Sequence, residues 1–213
     1  KTQAMFVKKL SINILTLYEM FYKGLRRGIL IFYANTFKLL TSKHMRLQKG
    51  DSNMQFQLQF ITDELPQTPV HINQRTAVRG VIHYQNKILM VQTNRGDYKF
   101  PGGGMEEGET EKETLLREIT EETGYTDIHI GVKIGETFEQ NIDTEDPESY
   151  FQMKSCYYEC WLMSDKRAPG VQDDYEEKLG FHGTFVTVEK AYQSNLSLLK
   201  REQKKMHDFL QKA

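Results

Sequence analysis

From about Met54 to Ala213 the sequence predicts one α+β domain, long enough to bury a proper core. Three observations carry that prediction. Runs rich in Val, Ile, Phe and Tyr recur along the chain, bounded by Gly, Asn and Asp. A short helix with both ends marked sits among them, between Thr110 and Gly124. A second helical pattern closes the chain.

The elements follow in order. Phe56, Leu58 and Phe60 alternate with glutamine and predict an edge strand ahead of the main fold. Thr76 to Tyr84 reads as a strand, Gln85-Asn86 as a turn and Lys87 to Thr93 as its partner. Tyr98 to Phe100 is a short strand that leads into Pro101-Gly102-Gly103-Gly104. Thr110 and Glu113 form a capping box, so a helix starts near Glu111. Leu115, Leu116 and Ile119 give it an apolar stripe, and Gly124 stops it by taking left-handed dihedrals. Ile128 to Ile134, Phe138 to Ile142, Ser149 to Met163 and Phe181 to Val188 read as further strands. Leu196 to Gln211 reads as a helix with Leu199, Met206, Phe209 and Leu210 on its apolar face.

The chemistry concentrates between Gly103 and Tyr125. At about 100° per residue, Glu118 and Glu122 lie about 40° apart on one helix face. Glu121 sits one turn from Glu118, so the spacing predicts three carboxylates converging on a small volume. Left unneutralised, such pairs cost a few tenths of a kcal/mol each. Mg²⁺ or Mn²⁺ would remove that cost, since hard cations prefer oxygen donors and Mg²⁺ also binds substrate phosphates. Gly102, Gly103 and Gly104 leave the loop free of side chains. Its carbonyls can face a metal, or its N–H groups a phosphate. Arg117 is placed to pair with Glu109 and hold the loop against the helix. A Glu-rich helix by itself is also an ordinary solvated surface helix. The full spacing, with both glycines, the arginine and the Phe100-Pro101 lead-in, separates the two readings.

That spacing resembles the Nudix box of the Nudix hydrolases, G-x5-E-x7-R-E-U-x-E-E-x-G-U, where U is a bulky aliphatic residue. Gly103, Glu109, Arg117, Glu118, Ile119, Glu121, Glu122 and Gly124 all match. Tyr125 departs, standing where the family has Ile, Leu or Val, and an adjusted core contact is expected there. The resemblance covers about a tenth of the chain. It implies a Nudix-type α/β/α sandwich with a mixed sheet. It also implies Mg²⁺-dependent hydrolysis of a nucleoside diphosphate linked to another moiety, by attack of an activated water on phosphorus.

On that resemblance Glu118 and Glu122 are the principal metal ligands, and the Gly103 carbonyl is an additional one. Glu121 is a further ligand or the base. Glu118, Glu121 and Arg117 make up the catalytic group. Gly102, Gly103 and Gly104 make up the binding loop. In relatives the base is sometimes a distant glutamate, which here would be Glu176 or Glu177, and an exposed acidic turn is the other reading of those two. The proline that marks many ADP-ribose hydrolases of the family, about fifteen residues past the box, is absent, since Gln140 and Asn141 stand there, and so is the tyrosine that marks dinucleoside polyphosphate hydrolases, near Ile142-Asp143. Nucleoside triphosphate cleansing, oxidised purines included, is the mild favourite by elimination. Tyr98, Phe100 or Trp161 could stack on a base or belong to the core. Asn195 could read a purine edge or cap the last helix. The alternatives are a non-catalytic Nudix-fold nucleotide sensor, which a complete box disfavours, and a membrane-tethered hydrolase.

Cys156 and Cys160 fall on one predicted strand about 13 Å apart, too far for a disulfide, and read as small buried hydrophobes in a reducing compartment. A cytoplasmic location and a small-molecule substrate are expected, with a homodimer as one assembly. Residues 1–53 carry ten Lys/Arg against Glu19 and Asp51, a net +8, while the remainder is −9. The acidity of the larger part argues against a broad nucleic-acid surface. The apolar runs of residues 1–53 are too short to span a bilayer. A basic arm lying on a membrane is one reading of that segment. The favoured one is translated upstream DNA, with the protein starting at Met54: residue 1 is Lys, AT-rich codons dominate, and Lys49-Gly50-Asp51 can encode a ribosome-binding sequence.

Overall fold

Residues 56–61, 69–143, 146, 148–168 and 180–210 are described by this computed structural model. Seven strands and two helices make up these residues: β1 (Phe56–Ile61), β2 (Ile72–Tyr84), β3 (Lys87–Gln92), β4 (Tyr98–Lys99), α1 (Glu111–Thr123), β5 (Ile128–Ile142), β6 (Tyr150–Leu162), β7 (His182–Val186) and α2 (Val188–Leu210). One mixed sheet runs β1-β5-β6-β2-β3-β4, with β7 paired to the other side of β3. β1 is parallel to β5, and β6 is parallel to β2. The remaining pairings are antiparallel.

Period-two alternation sends the strand residues into two cores. On one face Val78, Ile82, Cys156 and Cys160 pack with Leu115 and Ile119 of α1. On the other, Val81, Met90, Tyr157 and Val186 pack with Ala191 of α2. A helix on each face of a mixed sheet is the α/β/α sandwich the resemblance implies. Leu115 and Ile119 are fully buried. At about 1.5–3 kcal/mol for each such side chain, they anchor α1 to the sheet.

Several boundaries differ from the sequence expectation, among them the last strand, which ends at Val186 and leaves Val188 to the helix that follows. β2 begins at Ile72 and not Thr76, because the exposed Ile72–Arg75 stretch keeps its pairing with β6. β5 is one strand and not two. It runs through the expected gap with register shifts between Ile130 and Gly135, where Gly131 leaves room for the Trp161 ring. Thr93 lies outside β3, and its N–H bonds the Asp97 carbonyl at 3.0 Å to close the turn to β4. α2 begins at Val188, eight residues before Leu196, capped by Thr187 Oγ1, which accepts from the Lys190 N–H at 3.3 Å. The side chains of Leu199, Met206, Phe209 and Leu210, its expected apolar face, lie outside the described residues, as do residues 1–53. Cys156 and Cys160 are buried and unbridged, and burial pushes their thiols up to about 11 and about 12. Among the described residues, no helix is long and apolar enough to cross a membrane.

Candidate functional site

α1 forms where its local chemistry directs. Thr110 Oγ1 accepts from the Glu113 N–H at 3.3 Å, and Glu113 Oε2 accepts from the Thr110 N–H at 2.9 Å, completing the capping box. At the other end Gly124 takes φ 77° and returns its N–H to the Thr120 carbonyl at 2.8 Å. Tyr125, next along, is buried against Phe185, and its hydroxyl accepts from Arg167, whose guanidinium lies 4.3 Å from the ring. The larger side chain keeps the core contact expected there and adds a polar tether.

The glycine loop is laid along β2 as an extra stretch of sheet. Gly80 and Val78 donate to the Pro101 and Gly103 carbonyls at 2.8 and 2.9 Å, and Met105 donates to the Thr76 carbonyl at 3.0 Å. A Cβ on Gly102 would strike the Val78 carbonyl, and its φ of 133° also favours glycine. On Gly103 it would strike the Glu118 carboxylate, and on Gly104 the Arg75 guanidinium. The three glycines therefore answer to three different neighbours: backbone, carboxylate and cation. The Gly103 carbonyl, engaged by Val78, keeps one lone pair free.

Arg117 joins loop to helix. Its Nε meets Glu109 Oε1 at 2.7 Å and its Nη2 meets Oε2 at 2.9 Å, a bidentate pair. Its Nη1 also reaches Glu118 at 2.9 Å and Glu121 at 3.2 Å, and Nη2 reaches the Gly104 carbonyl at 3.3 Å. The hydrogen bond from Arg117 is the main reason the Glu109 carboxyl falls to about 2. Glu122 faces elsewhere. Its Oε2 accepts from the Gly102 N–H at 2.8 Å and its Oε1 meets Lys99 Nζ, with the side chain 1% exposed. The three carboxylates thus share one helix face but not one point. Among the described residues, no three His, Cys, Asp or Glu side chains stand close enough together to hold an ion. The physical reason is that Arg117 and Lys99 each draw part of the set aside.

The residues nonetheless suit a hard divalent cation. Burial, and then the neighbouring Glu122 charge, raise the Glu118 carboxyl above its usual range despite Arg117. That carboxylate has Arg117 on one side, and the missing Cβ of Gly103 lets it lie directly against the loop. Glu118, with Glu122 and a loop carbonyl, is an oxygen donor set of the type such cations take.

Other expected site residues fall as follows. Glu176 and Glu177 lie outside the described residues. Tyr98 and Phe100 are buried in the core under α2, while Trp161 is partly exposed between His83 and His129. Asn195 is not a cap. It lies within α2, fully buried, and its side chain takes both the N–H and the carbonyl of Tyr98 at 2.8 Å, which docks the helix on β4. Three cations that the sequence does not single out complete the site. Arg79 donates to the Gly102 carbonyl, Arg75 lies over Gly104, and Lys99 holds Glu122. The even spacing of Arg75 and Arg79 on one strand is the signal that places both on one face. Lys99 and Glu122 are 23 residues apart and leave no such signal.

A family model described as NUDIX domain matches residues 73–211. A curated ADP-ribose pyrophosphatase from Methanocaldococcus jannaschii is 38% identical over 65 residues, 29% of this chain. The match spans only 38% of that relative's length. Among solved structures, a NUDIX hydrolase from Nitrosomonas europaea is similar at 17% identity, with 64% of this chain and 90% of that one covered and a TM-score of 0.42. An ADP-ribose pyrophosphatase from Streptococcus suis is similar at 18% identity, covering 58% of this chain and 90% of that one, with a TM-score of 0.38.

Proposed function

Because this chain belongs to the Nudix family, we propose that it hydrolyses the diphosphate linkage of a nucleoside diphosphate derivative, using Mg²⁺ or Mn²⁺ held by Glu118 and Glu122. The observation that carries this reading is the buried Glu118 carboxylate lying directly against Gly103, where any Cβ would strike it. Glu121 serves as a further ligand or as the base. Arg117 positions Glu109 and the loop, and a glutamate at 176 or 177 is the other candidate base.

When bound, the cation supplies charge neutralisation for phosphate oxygens and acidifies water. The chain supplies the rest. The Gly102–Gly104 loop is pinned to β2, so its place is set before a ligand arrives. Arg75, lying over Gly104 with its guanidinium exposed, is placed to take a phosphate oxygen. The likeness to an ADP-ribose pyrophosphatase supports ADP-ribose as the first substrate to test. Nucleoside triphosphates, oxidised purines included, belong in the same panel, since no residue after the box marks an ADP-ribose specificity.

The test is a panel of nucleoside diphosphate derivatives and triphosphates with Mg²⁺, following phosphate and pyrophosphate release. Glu122→Gln is expected to keep the fold and lower turnover by about a hundredfold, because the amide lacks the charge needed to hold the cation. Saturable nucleotide binding with no hydrolysis across the panel would favour the sensor reading instead.

A further inference from the structure

On the reading that a divalent cation binds Glu118 and Glu122, we infer that Lys99 is a built-in competitor for Glu122 and that loading the metal requires lysine to be exchanged. Both carboxylate oxygens of Glu122 are already engaged, one by the Gly102 N–H at 2.8 Å and one by Lys99 Nζ. The pair is buried, with side-chain exposures of 14% and 1%. An incoming cation on either oxygen must share this carboxylate with the lysine. Two cations on one buried carboxylate repel strongly in so dry a place.

The lysine has somewhere to go. Its ammonium lies 3.7 Å from the centre of the Phe181 ring. A cation–π contact therefore persists after Glu122 is given up. The flexible four-carbon stem lets the ammonium swing without moving the backbone of β4. Arg117 cannot play this part, because it is fixed by a bidentate hold on Glu109. Lys99 is thus a positioning residue. It keeps Glu122 aimed at the loop in the metal-free protein, and it lowers metal affinity in doing so.

The experiment compares Mn²⁺ binding, read as loss of the free-Mn²⁺ electron paramagnetic resonance signal at pH 8, with thermal unfolding of the metal-free proteins. Wild type, Lys99→Met, Lys99→Gln and Lys99→Arg are measured. Lys99→Met removes the competing cation and leaves Glu122 short of a partner. It is expected to bind Mn²⁺ at least about tenfold more tightly while melting at a lower temperature without metal. Lys99→Gln keeps an amide donor, carries the same expectation and serves if the Met variant does not fold. Lys99→Arg retains the competing charge and should bind no more tightly than wild type. Equal or weaker Mn²⁺ binding by the folded Met or Gln variant, with wild type binding normally, overturns the exchange alone. Failure of wild type to bind Mn²⁺ overturns both the exchange and the metal reading beneath it.

Discussion

Replacing the three loop glycines one at a time by alanine separates the parts of the site. In Gly103→Ala the new Cβ would lie inside 3.0 Å of the Glu118 carboxylate carbon and both its oxygens. Ordinary contact begins at 3.4 Å, so the carboxylate must retreat by about 1 Å. The obstacle is the free end of a flexible side chain, so the fold should lose no more than about 1 kcal/mol, or about 2–4 °C in melting temperature. The site should lose far more: a displacement of about 1 Å in a catalytic group costs about a hundredfold in rate. Gly102→Ala meets the Val78 carbonyl, which belongs to the sheet and cannot turn away, at a φ of 133°. Strain and overpacking together should cost about 2–5 kcal/mol and lower the melting temperature by about 10 °C. Gly104→Ala meets only the tip of Arg75 and should be the mildest for stability. The assays are calorimetric unfolding, Mn²⁺ titration and hydrolysis of the best substrate from the panel. Gly103→Ala with wild-type turnover would refute the placing of Glu118 beside a cleared loop. Gly102→Ala with wild-type stability would refute the backbone clash.

Arg117→Ala should lower stability and turnover together. Its partners Glu109 and Glu118 would lose their shared cation but stay within reach of water, so the loss should be smaller than for a dry pair, and an unchanged melting temperature would argue against the tether. Stability should depend on pH in two opposed ways. Glu109, depressed to about 2 by Arg117, contributes stability that is present above the ordinary carboxylate value of 4.5 and is lost as pH falls toward 2. Glu118, raised by burial, binds its proton more tightly in the folded state, so the metal-free protein should lose stability as pH rises through its carboxyl range. Glu118→Gln should flatten that decline in thermal melts from pH 4 to 8, and an unchanged profile would count against it. A chain starting at Met54 is expected to fold and hydrolyse like the full chain. An insoluble or inactive shorter chain would make residues 1–53 part of the domain.

What the sequence determined by itself is whatever depends on neighbours a few residues apart. The capping box at Thr110, the stop at Gly124 and the apolar stripe of α1 are set by contacts within one or two turns. The Arg117–Glu109 pair spans eight residues, yet fixed helix geometry and a short loop bring its ends together. The strands of β2, β3 and β6 carry enough β-branched and aromatic residues to be read without partners, though their ends were decided by pairing. The tertiary structure alone decided what lies across the sheet and the loop. β5 continues past Gly131 because β6 supplies its hydrogen bonds, and Asn195 sits inside α2 because Tyr98, 97 residues away, needs both backbone groups satisfied. Spacing on the helix put Glu118, Glu121 and Glu122 on one face. It could not show that Arg117 draws two of them one way while Lys99 and Gly102 draw the third another. Helical spacing fixes the direction in which a side chain leaves the backbone. Which charge it meets there depends on segments folded in from elsewhere in the chain.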